Sequence, residues 1–291
     1  MRFASPATVE DAVKLLAAEP GLARVLAGGS DLIVQMKSGR IDPALVVDLK
    51  RIKALTTITA DGGGFRIGAC VPCIALEEHA DLTAMWPGVV EAARLIGSTQ
   101  VQGRATIAGN LCNASPAADS VPALVAANAR VRIVGPNGAR EVDVIDVPVG
   151  VGKTSLAKGE IVDSIHLLAK PAKSGDAYLR FIPRTEMDIA VVSAGVFLTL
   201  DGSGTITAAR VALGAVAPTV LLVDACAKAI VGTKLDDKAK AALAAAASAA
   251  CKPIDDKRGT KEYRTEVAGV LARRAAEIAY ARATGAKAGA H

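Results

Sequence analysis

The stretch of sequence that decides the fold reads TIAGNLCNASPAADS and covers residues 106–120. It is small, polar and rich in turn-forming residues, although 51% of the whole chain is hydrophobic. Gly109 lets a ligand approach the backbone, and Asp119 provides an acceptor for a sugar hydroxyl group. Burying so many small polar groups is costly unless they bind something, so the composition favours a ligand-binding loop over a purely structural Ω-loop.

A second stretch, LAGGSDL at residues 26–32, lies between a predicted strand and a predicted helix. Gly28 and Gly29 let the backbone approach a ligand, and successive N–H groups in such a turn form a concavity that binds anions. Taken alone, the pattern is more typical of a tight strand-to-helix turn without a ligand. The stretch is therefore weak evidence by itself.

Length, composition and charge limit the classes to which the protein can belong. The length of 291 residues suits about two domains, and an aromatic content of 3% disfavours a nucleic-acid surface built on base stacking. The net charge of +5 is scattered along the chain and fits solubility plus an acidic cofactor or partner. No segment reaches the roughly 18 apolar residues of a membrane span, and we expect neither membrane insertion nor a signal peptide. The 5 cysteines favour a reducing, cytoplasmic setting.

Elements along the chain indicate two domains. In the first half, short strands alternate with short helices, and glycine-rich turns at residues 61–64 and 135–138 predict two hairpins. The second half has three strand-like runs followed by helices, which predicts a separate α+β domain beginning near residues 170–175. In the last helix, residues 262–283, the apolar residues Val267, Val270, Leu271 and Ile278 line one face.

Other motifs give no catalytic or metal site. The triplet Gly152-Lys153-Thr154 ends like a phosphate-binding loop, but Val147 stands where that motif needs a glycine. The pair Cys70 and Cys73 has redox spacing without a second pair, so both are interpreted as buried small hydrophobes. The histidines at 79, 166 and 291 share no ligand spacing. We therefore predict no catalytic residue and no metal ligand on this chain.

Together, the two glycine-bearing segments resemble the flavin-binding loops of the FAD-carrying medium subunit of molybdenum hydroxylases. This family includes bacterial carbon monoxide dehydrogenase, quinoline oxidoreductase and xanthine dehydrogenase. Two further stretches are similar to it: RTEMDIAVV at residues 184–192 resembles its turn into the C-terminal domain, and DDKRGTKEYR at residues 255–264 resembles the start of its closing helix. The resemblance extends from about Arg2 to Ala283.

The resemblance implies an α+β fold with two domains. Residues 1–172 would form a two-lobed FAD-binding fold of the vanillyl-alcohol-oxidase type. Residues 175–285 would form a small C-terminal domain, with a three-stranded antiparallel sheet and helices.

The resemblance also implies which residues bind FAD, without a covalent bond. The backbone around residues 27–32 would wrap the pyrophosphate. The diphosphate and flavin side would be held by Thr106, Ile107, Gly109 and Asn110, and a sugar-chain hydroxyl by Asp119. Ile161 and Val162 would cover the adenine end, Arg180 stands where relatives often have a lysine near the flavin, and Ile189 stands where some have a shielding aromatic residue. The expected cofactor-binding residues are Leu26, Ala27, Gly28, Gly29, Ser30, Asp31, Leu32, Ile33, Ile96, Thr106, Ile107, Gly109, Asn110, Asp119, Ile161, Val162, Arg180 and Ile189.

The implied function is electron transfer within a complex. A large partner subunit would carry molybdopterin and oxidise the substrate, and a small partner subunit would carry 2Fe-2S clusters that pass electrons to FAD. The FAD subunit would deliver them to an external acceptor, in a dimer of heterotrimers. A stand-alone FAD-dependent reductase or oxidase and an FAD-free assembly scaffold are the alternatives. The substrate, the acceptor (NAD, oxygen or quinone) and FAD binding without partners stay open.

Overall fold

The computed structural model describes residues 1–286, so His291 lies outside the described residues. The first lobe is a parallel sheet of three strands in the order β1-β3-β2. Its first helix begins where the hydroxyl of Thr8 accepts a hydrogen bond from the N–H of Asp11, as the sequence predicts. The elements are β1 (Arg2–Ala4), α1 (Val9–Ala18), β2 (Ala23–Leu26), α2 (Leu32–Lys37) and β3 (Leu45–Asp48).

The second lobe is an antiparallel sheet of five strands in the order β4-β5-β10-β6-β7. Both predicted glycine-rich hairpins are confirmed, since β4 turns into β5 and β6 turns into β7. The strands are β4 (Ile58–Asp61), β5 (Gly64–Gly68), β6 (Arg130–Gly135), β7 (Gly138–Asp143) and β10 (Ile161–Leu167), and a separate hairpin comprises β8 (Pro148–Gly150) and β9 (Lys153–Thr154).

Short helices pack against this antiparallel sheet and bury the largest apolar cluster, in which Trp86 is 2% exposed. They are α3 (Cys73–Glu78), α4 (Ala80–Met85), α5 (Pro87–Arg94), α6 (Thr99–Gln102), α7 (Ile107–Cys112) and α8 (Ser120–Ala126). Residues 106–120, for which the composition predicted a ligand-binding loop, thus contain α7 and the first residue of α8 rather than forming a continuous loop. Helices of six or seven residues are too short to show a helical period in the sequence.

The third layer is a second antiparallel sheet in the order β11-β12-β13-β14, with helices on one face. Its elements are β11 (Ser174–Phe181), β12 (Val192–Leu200), β13 (Ile206–Gly214), β14 (Leu221–Leu222), α9 (Asp224–Ile230), α10 (Asp237–Ala250) and α11 (Lys261–Ala283). The fourth strand, β14, was absent from the prediction of a three-stranded sheet. Two residues are too few to show the alternation of a strand, and the sequence there predicts a helix start.

Of the four apolar residues predicted to line one face of α11, Leu271 is buried, and Val267 and Ile278 are partly buried against the same core. The contact face of α11 consists mainly of small residues, namely Ala268, Gly269, Ala272, Ala275, Ala276, Ala279 and Ala283. A methyl group added at Gly175 on β11 would lie 2.0 Å from the carbonyl oxygen of Ala279. Helix and strand therefore approach so closely that only small side chains fit, whereas larger apolar residues such as Val267 stay at the margin.

The second sheet packs on the antiparallel lobe near α8. A methyl group at Gly195 on β12 would lie 2.5 Å from the carbonyl oxygen of Pro122. On another side, Asp176 on β11 accepts a hydrogen bond from the N–H of Gly88 at 2.7 Å. Within residues 1–286, none of the helices has the length and hydropathy needed to cross a membrane.

Candidate functional site: the cleft between the two lobes

A cleft of about 500 Å³ lies between the parallel lobe and the antiparallel lobe. This volume is within the range of roughly 300–1,000 Å³ that is usual for small-molecule sites. Both glycine-bearing segments border it, together with the start of β10. Of the expected cofactor-binding residues, the cleft lining includes Ala27, Gly28, Gly29, Ser30, Asp31, Leu32, Thr106, Gly109, Ile161 and Val162.

Gly28 and Gly29 shape the first segment by different means. A methyl group at Gly28 would lie 2.0 Å from the carbonyl oxygen of Arg104, so the first segment touches the backbone just before the second. Gly29 has a φ of +78°, in the left-handed region that favours glycine. Lys50 donates to the carbonyl oxygen of Ala27 at 3.0 Å and so anchors the beginning of this segment.

The second segment begins with a capped helix. The hydroxyl oxygen of Thr106 accepts from the N–H of Gly109 at 2.9 Å, which leaves the hydroxyl proton of Thr106 available for a ligand. The side-chain oxygen of Asn110 accepts from both the N–H and the hydroxyl of Ser120, at 3.0 and 2.7 Å. These bonds close the second segment on itself and leave the amide NH₂ of Asn110 as a further donor.

Asn113 joins the two segments directly. Its side-chain nitrogen donates to Asp31 at 3.2 Å, and its side-chain oxygen accepts from Gln35 at 3.0 Å. Two stretches about eighty residues apart in sequence therefore form one wall of the cleft. Both segments, predicted from the sequence to form one site, border the same cleft.

The donor set of the cleft suits a phosphate-bearing cofactor. Within the part of the chain that the structure describes, no protein acceptor takes the backbone N–H groups of residues 28–31. Adjacent N–H groups without partners at the start of a helix attract anions, because their dipoles add. Small side chains at Gly28, Gly29 and Gly109 leave room for a diphosphate to reach these donors. The residues present thus fit the pyrophosphate of a dinucleotide.

The carboxylate of Glu160, which lines the cleft, is neutralised by an arginine. Arg140 donates two hydrogen bonds to Glu160, at 2.9 and 2.8 Å, and they hold the pKa of Glu160 below its usual range. Cys112 also borders the cleft, and burial raises the pKa of its thiol to about 12. This thiol is therefore protonated and unreactive at neutral pH.

Asp119 and Arg180 form a buried ion pair at the end of the second segment. The guanidinium of Arg180 donates to Asp119 at 3.0 Å, and their side chains are 5% and 12% exposed, respectively. Burial nevertheless raises the pKa of Asp119 to about 6, and Arg180 opposes this shift. The hydroxyl of Tyr178, also buried, makes no hydrogen bond within residues 1–286. The pair connects the cofactor segment to β11.

Several expected residues do not line the cleft. Ile96 and Ile107 are buried in the core of the antiparallel lobe, and Ile189 is 52% exposed on the loop between β11 and β12. The side chains of Leu26 and Ile33 would lie 2.8 and 2.9 Å from a Cβ added at Gly29. The lining also lacks Asn110, Asp119 and Arg180. Asn110 directly follows Gly109 and accepts a hydrogen bond from Ser120, and the residue before Ser120, Asp119, accepts one from Arg180.

Other cleft residues were missed by sequence reasoning. Gln35 and Glu160 line the cleft, and no motif distinguishes them in the sequence. Cys112 and Thr154 also line it; they lie within stretches discussed above but were not among the expected cofactor-binding residues. Gly152 lies in the turn between β8 and β9, before a strand rather than a helix, which agrees with rejecting a phosphate-binding loop there. Cys70 and Cys73 are buried, as their interpretation as small hydrophobes requires.

The fold and cleft define a cofactor-binding protein, and comparison with known proteins specifies the family. Residues 1–167 match the model of the FAD binding domain in molybdopterin dehydrogenase. Residues 177–279 match the C-terminal domain of CO dehydrogenase flavoproteins. The chain therefore belongs to the family of FAD-binding medium subunits of CO dehydrogenase and xanthine dehydrogenase-type molybdenum hydroxylases, and it is a flavoprotein subunit of an oxidoreductase complex.

Individual relatives cover nearly the whole chain. The carbon monoxide dehydrogenase medium chain of Afipia carboxidovorans is 37% identical over 278 residues, covering 96% of each chain. The xanthine dehydrogenase FAD-binding subunit of Escherichia coli O157:H7 is 29% identical over 281 residues, again covering 96% of each. The solved carbon monoxide dehydrogenase of Hydrogenophaga pseudoflava superimposes with a TM-score of 0.93 at 34% identity, covering 97% of this chain and 98% of that one. The recognition of the family and its fold from the sequence is confirmed.

Proposed function

We propose that this chain binds FAD non-covalently in the cleft between its lobes and relays electrons from the 2Fe-2S clusters of a small partner subunit to an external acceptor. The observation that carries the proposal is the meeting of both glycine-bearing segments at one cleft. Among the residues that the structure describes, the backbone N–H groups of residues 28–31 have no protein acceptor and can hold a diphosphate. The family membership supports the same cofactor.

The chain's own residues would bind and orient the cofactor. The N–H groups of residues 28–31 and the hydroxyl of Thr106 would donate to the diphosphate. Ile161 and Val162, buried at the start of β10, would offer an apolar wall to the adenine end. The amide of Asn110 would donate to the flavin side. Leu26, Ile33, Ile96 and Ile107 would act through the backbone and the packing beneath it.

The Asp119–Arg180 pair would set the charge beside the redox centre. Bound FAD supplies the electron-transfer chemistry, accepting electrons one at a time and releasing them to the acceptor. A fixed guanidinium nearby favours negative charge, so Arg180 would favour the reduced cofactor. Asp119 would accept a sugar-chain hydroxyl and, with its raised pKa, hold a proton in mildly acidic solution.

The assembly follows from the same proposal. A molybdopterin-bearing large subunit and a 2Fe-2S small subunit would bind this chain, in a cytoplasmic dimer of heterotrimers. Residues 1–172 would form the FAD-binding domain, and residues 175–285 the C-terminal domain. Contacts between the two, such as that of Gly195 with Pro122, fit a C-terminal domain that closes one side of the site.

The test begins with FAD binding by the purified full-length chain. We expect stoichiometric FAD and a flavin absorption band after reconstitution and desalting. Gly109→Val should abolish the band, because even a Cβ there would lie 2.9 Å from the Thr106 hydroxyl. Gly103→Ala is the matched control, since its Cβ would meet nothing closer than 3.8 Å. A wild-type chain that stays colourless with added FAD, with or without its partner subunits, would refute the proposal.

A second measurement tests the electron path. Co-purification with a molybdenum subunit and an iron–sulfur subunit is expected, and the bound flavin should be reduced only when the iron–sulfur subunit is present. Reduction of the flavin by a small-molecule substrate of the isolated chain would instead indicate a stand-alone reductase.

A further inference from the structure

Strand β2 is at one edge of the parallel sheet, and its free edge borders the cleft. On its other side it pairs with β3, where the carbonyl oxygens of Leu22 and Leu26 accept backbone hydrogen bonds. Backbone groups of successive residues in a strand point to opposite sides, so those of Ala23 and Val25 point away from β3. Ala23, Arg24 and Val25 all line the cleft.

The side chain of Arg24 turns towards this free edge. Its guanidinium donates to the carbonyl oxygen of Ala23 at 3.2 Å, one of the groups that point away from β3. Arg24 is exposed, and within residues 1–286 no carboxylate pairs with it. Of the cleft-lining residues that the structure describes, Arg24 is the only one with a cationic side chain. Its guanidinium is therefore available to a ligand.

The start of β10 lies beside the same edge and is apolar. Ile161 and Val162 are 1% and 5% exposed, and both line the cleft. Ile161 belongs to the apolar cluster against which Ala23 and Val25 pack, which brings β10 next to β2. This end of the cleft therefore combines one guanidinium with buried aliphatic side chains.

Arg24 is not placed to hold the diphosphate. The unpaired N–H groups of residues 28–31 begin four residues after it, roughly 13 Å along an extended chain. The guanidinium also folds back towards Ala23, which is the direction away from those N–H groups. A dinucleotide with its diphosphate at residues 28–31 and its adenine end at β10 has a nucleoside beside Arg24.

A nucleobase here has few flat side chains to stack on. Among the described residues that line the cleft, none is aromatic. The guanidinium of an arginine is planar, delocalised and weakly hydrated, and it stacks on aromatic rings by cation–π attraction. Aliphatic side chains such as those of Ile161 and Val162 contact a ring face by dispersion. Arg24 thus offers this end of the cleft both a flat surface and an attraction for an aromatic ring.

We propose that Arg24 is an adenine-binding residue: its guanidinium covers one face of the adenine ring, and Ile161 and Val162 cover the other. This inference rests on the proposed function, because it takes FAD as the occupant of the cleft. Arg24 contacts the adenosine half of the cofactor and not the flavin half. It therefore contributes to the affinity for the dinucleotide and not to electron transfer.

The experiment measures the Kd of the full-length chain for FAD by flavin fluorescence. Arg24→Met keeps an apolar stem but removes the flat cation, and it should raise the Kd roughly 5- to 30-fold. Arg24→Tyr should stay within about threefold of the wild type, because a phenol ring also stacks on a base. Arg24→Lys should recover less than Arg24→Tyr, because an ammonium is a strongly hydrated point charge without a flat surface.

Arg40→Met is the matched control. Arg40 is also exposed, and it precedes the cleft-lining residue Ile41 without lining the cleft itself. Its removal changes the net charge equally, and the Kd for FAD should change by less than about twofold. A second readout uses the etheno-adenine analogue of FAD, whose base fluoresces. Acrylamide should quench the bound base more in Arg24→Met than in the wild type or in Arg40→Met.

Three outcomes would overturn the inference. Recovery by Arg24→Lys but not by Arg24→Tyr would indicate a contact with phosphate. Equal losses in Arg24→Met and Arg40→Met would indicate an effect of net charge alone. Quenching of the base that Arg24→Met leaves unchanged would show that the guanidinium does not cover the adenine. A wild-type chain that binds no FAD would instead refute the proposed function, so the two failures are distinguishable.

Discussion

The cofactor cleft and the junction with the C-terminal sheet consist of different chemical groups. At the cleft, the chain presents backbone N–H groups and glycines, and the charged residue Glu160 is neutralised by Arg140. At the junction, charged side chains are buried in pairs, including Asp119 with Arg180 and Asp176 with Lys170. Where backbone atoms are in close contact, an added side-chain atom causes a steric clash. Where charges are buried in pairs, removing one partner leaves the other charge buried without compensation.

This difference predicts two kinds of sensitivity. In the cleft, adding a methyl group should be more damaging than changing a charge, because the close contacts are between backbone atoms. At the junction, removing one member of a pair should be damaging in proportion to its burial, because the remaining charge loses its partner.

The largest effect is expected for Gly28→Ala. The new Cβ would lie 2.0 Å from the carbonyl oxygen of Arg104, so two backbone segments would have to separate. We expect a loss of roughly 3–5 kcal/mol in the free energy of unfolding, together with loss of FAD, measured by urea denaturation and flavin absorbance. Gly103→Ala, one residue from the contacted segment, should change the free energy of unfolding by less than about 1 kcal/mol. Equal stability of the two variants would contradict the backbone-contact argument.

The next largest loss in the free energy of unfolding is expected for Arg180→Met, which removes one partner of the buried Asp119–Arg180 pair. Removing the guanidinium leaves the carboxylate of Asp119, 12% exposed, without its partner. We expect a loss of about 3 kcal/mol at pH 7, and a smaller loss near pH 5 because Asp119 then binds a proton. The double variant Arg180→Met with Asp119→Leu should recover part of it. Arg273→Met removes a surface pair on α11 and should cost at most about 1 kcal/mol. Similar losses for the two arginines would argue against a distinct role of burial.

A pH titration sharpens the comparison further. The pKa of Asp119 is raised from 3.8 to about 6, so the folded chain holds a proton that the unfolded chain has released. Its stabilising contribution is therefore complete below about pH 4 and is lost as the pH rises through 6, by up to about 3 kcal/mol. Asp119→Asn should remove this fall from the curve of unfolding free energy against pH.

Asp201→Asn supplies the opposite sign as a control. Hydrogen bonds, first of all from the N–H of Thr205, lower the pKa of Asp201, so its stabilising contribution appears as the pH rises. The difference between wild type and variant should thus shrink with rising pH for Asp119 and grow for Asp201. Curves of the same sign for both variants would contradict the assignment of a raised pKa to Asp119.

The contrast between the cleft and the junction also explains which features of the fold and of the site could be predicted from the sequence. Glycine at positions 28, 29 and 109 is a local signal, and so are the cap at Thr8 and the hairpin turns. The family resemblance combined the two glycine-bearing segments into one site. These features depend on residues that are close together in the chain or carry a recognisable motif.

The junction has no such signal. Asp119 and Arg180 are 61 positions apart, and nothing local indicates that they pair. Gln35 and Glu160 reach the cleft because tertiary packing brings them there, not because of their neighbours in sequence. The alanine face of α11 was missed because hydrophobicity predicts large buried residues, whereas the close approach at Gly175 selects small ones.

The smallest effect is expected at the outer edge of the junction, where Glu91 on α5 pairs with Arg282 on α11. These side chains are 35% and 23% exposed, so solvent screens their attraction, and Glu91→Gln should cost only about 0.2–1 kcal/mol. Arg282→Met should cost more, because Arg282 also donates to the carbonyl oxygen of Asp176 at 2.7 Å. Glu277→Gln, which alters the pairs of Glu277 with Arg273 and Lys240 at similar exposure within the C-terminal domain, is the control for Glu91→Gln. A loss above about 2 kcal/mol for Glu91→Gln would place this pair with the buried ones, and the graded dependence on burial at the junction would then be wrong.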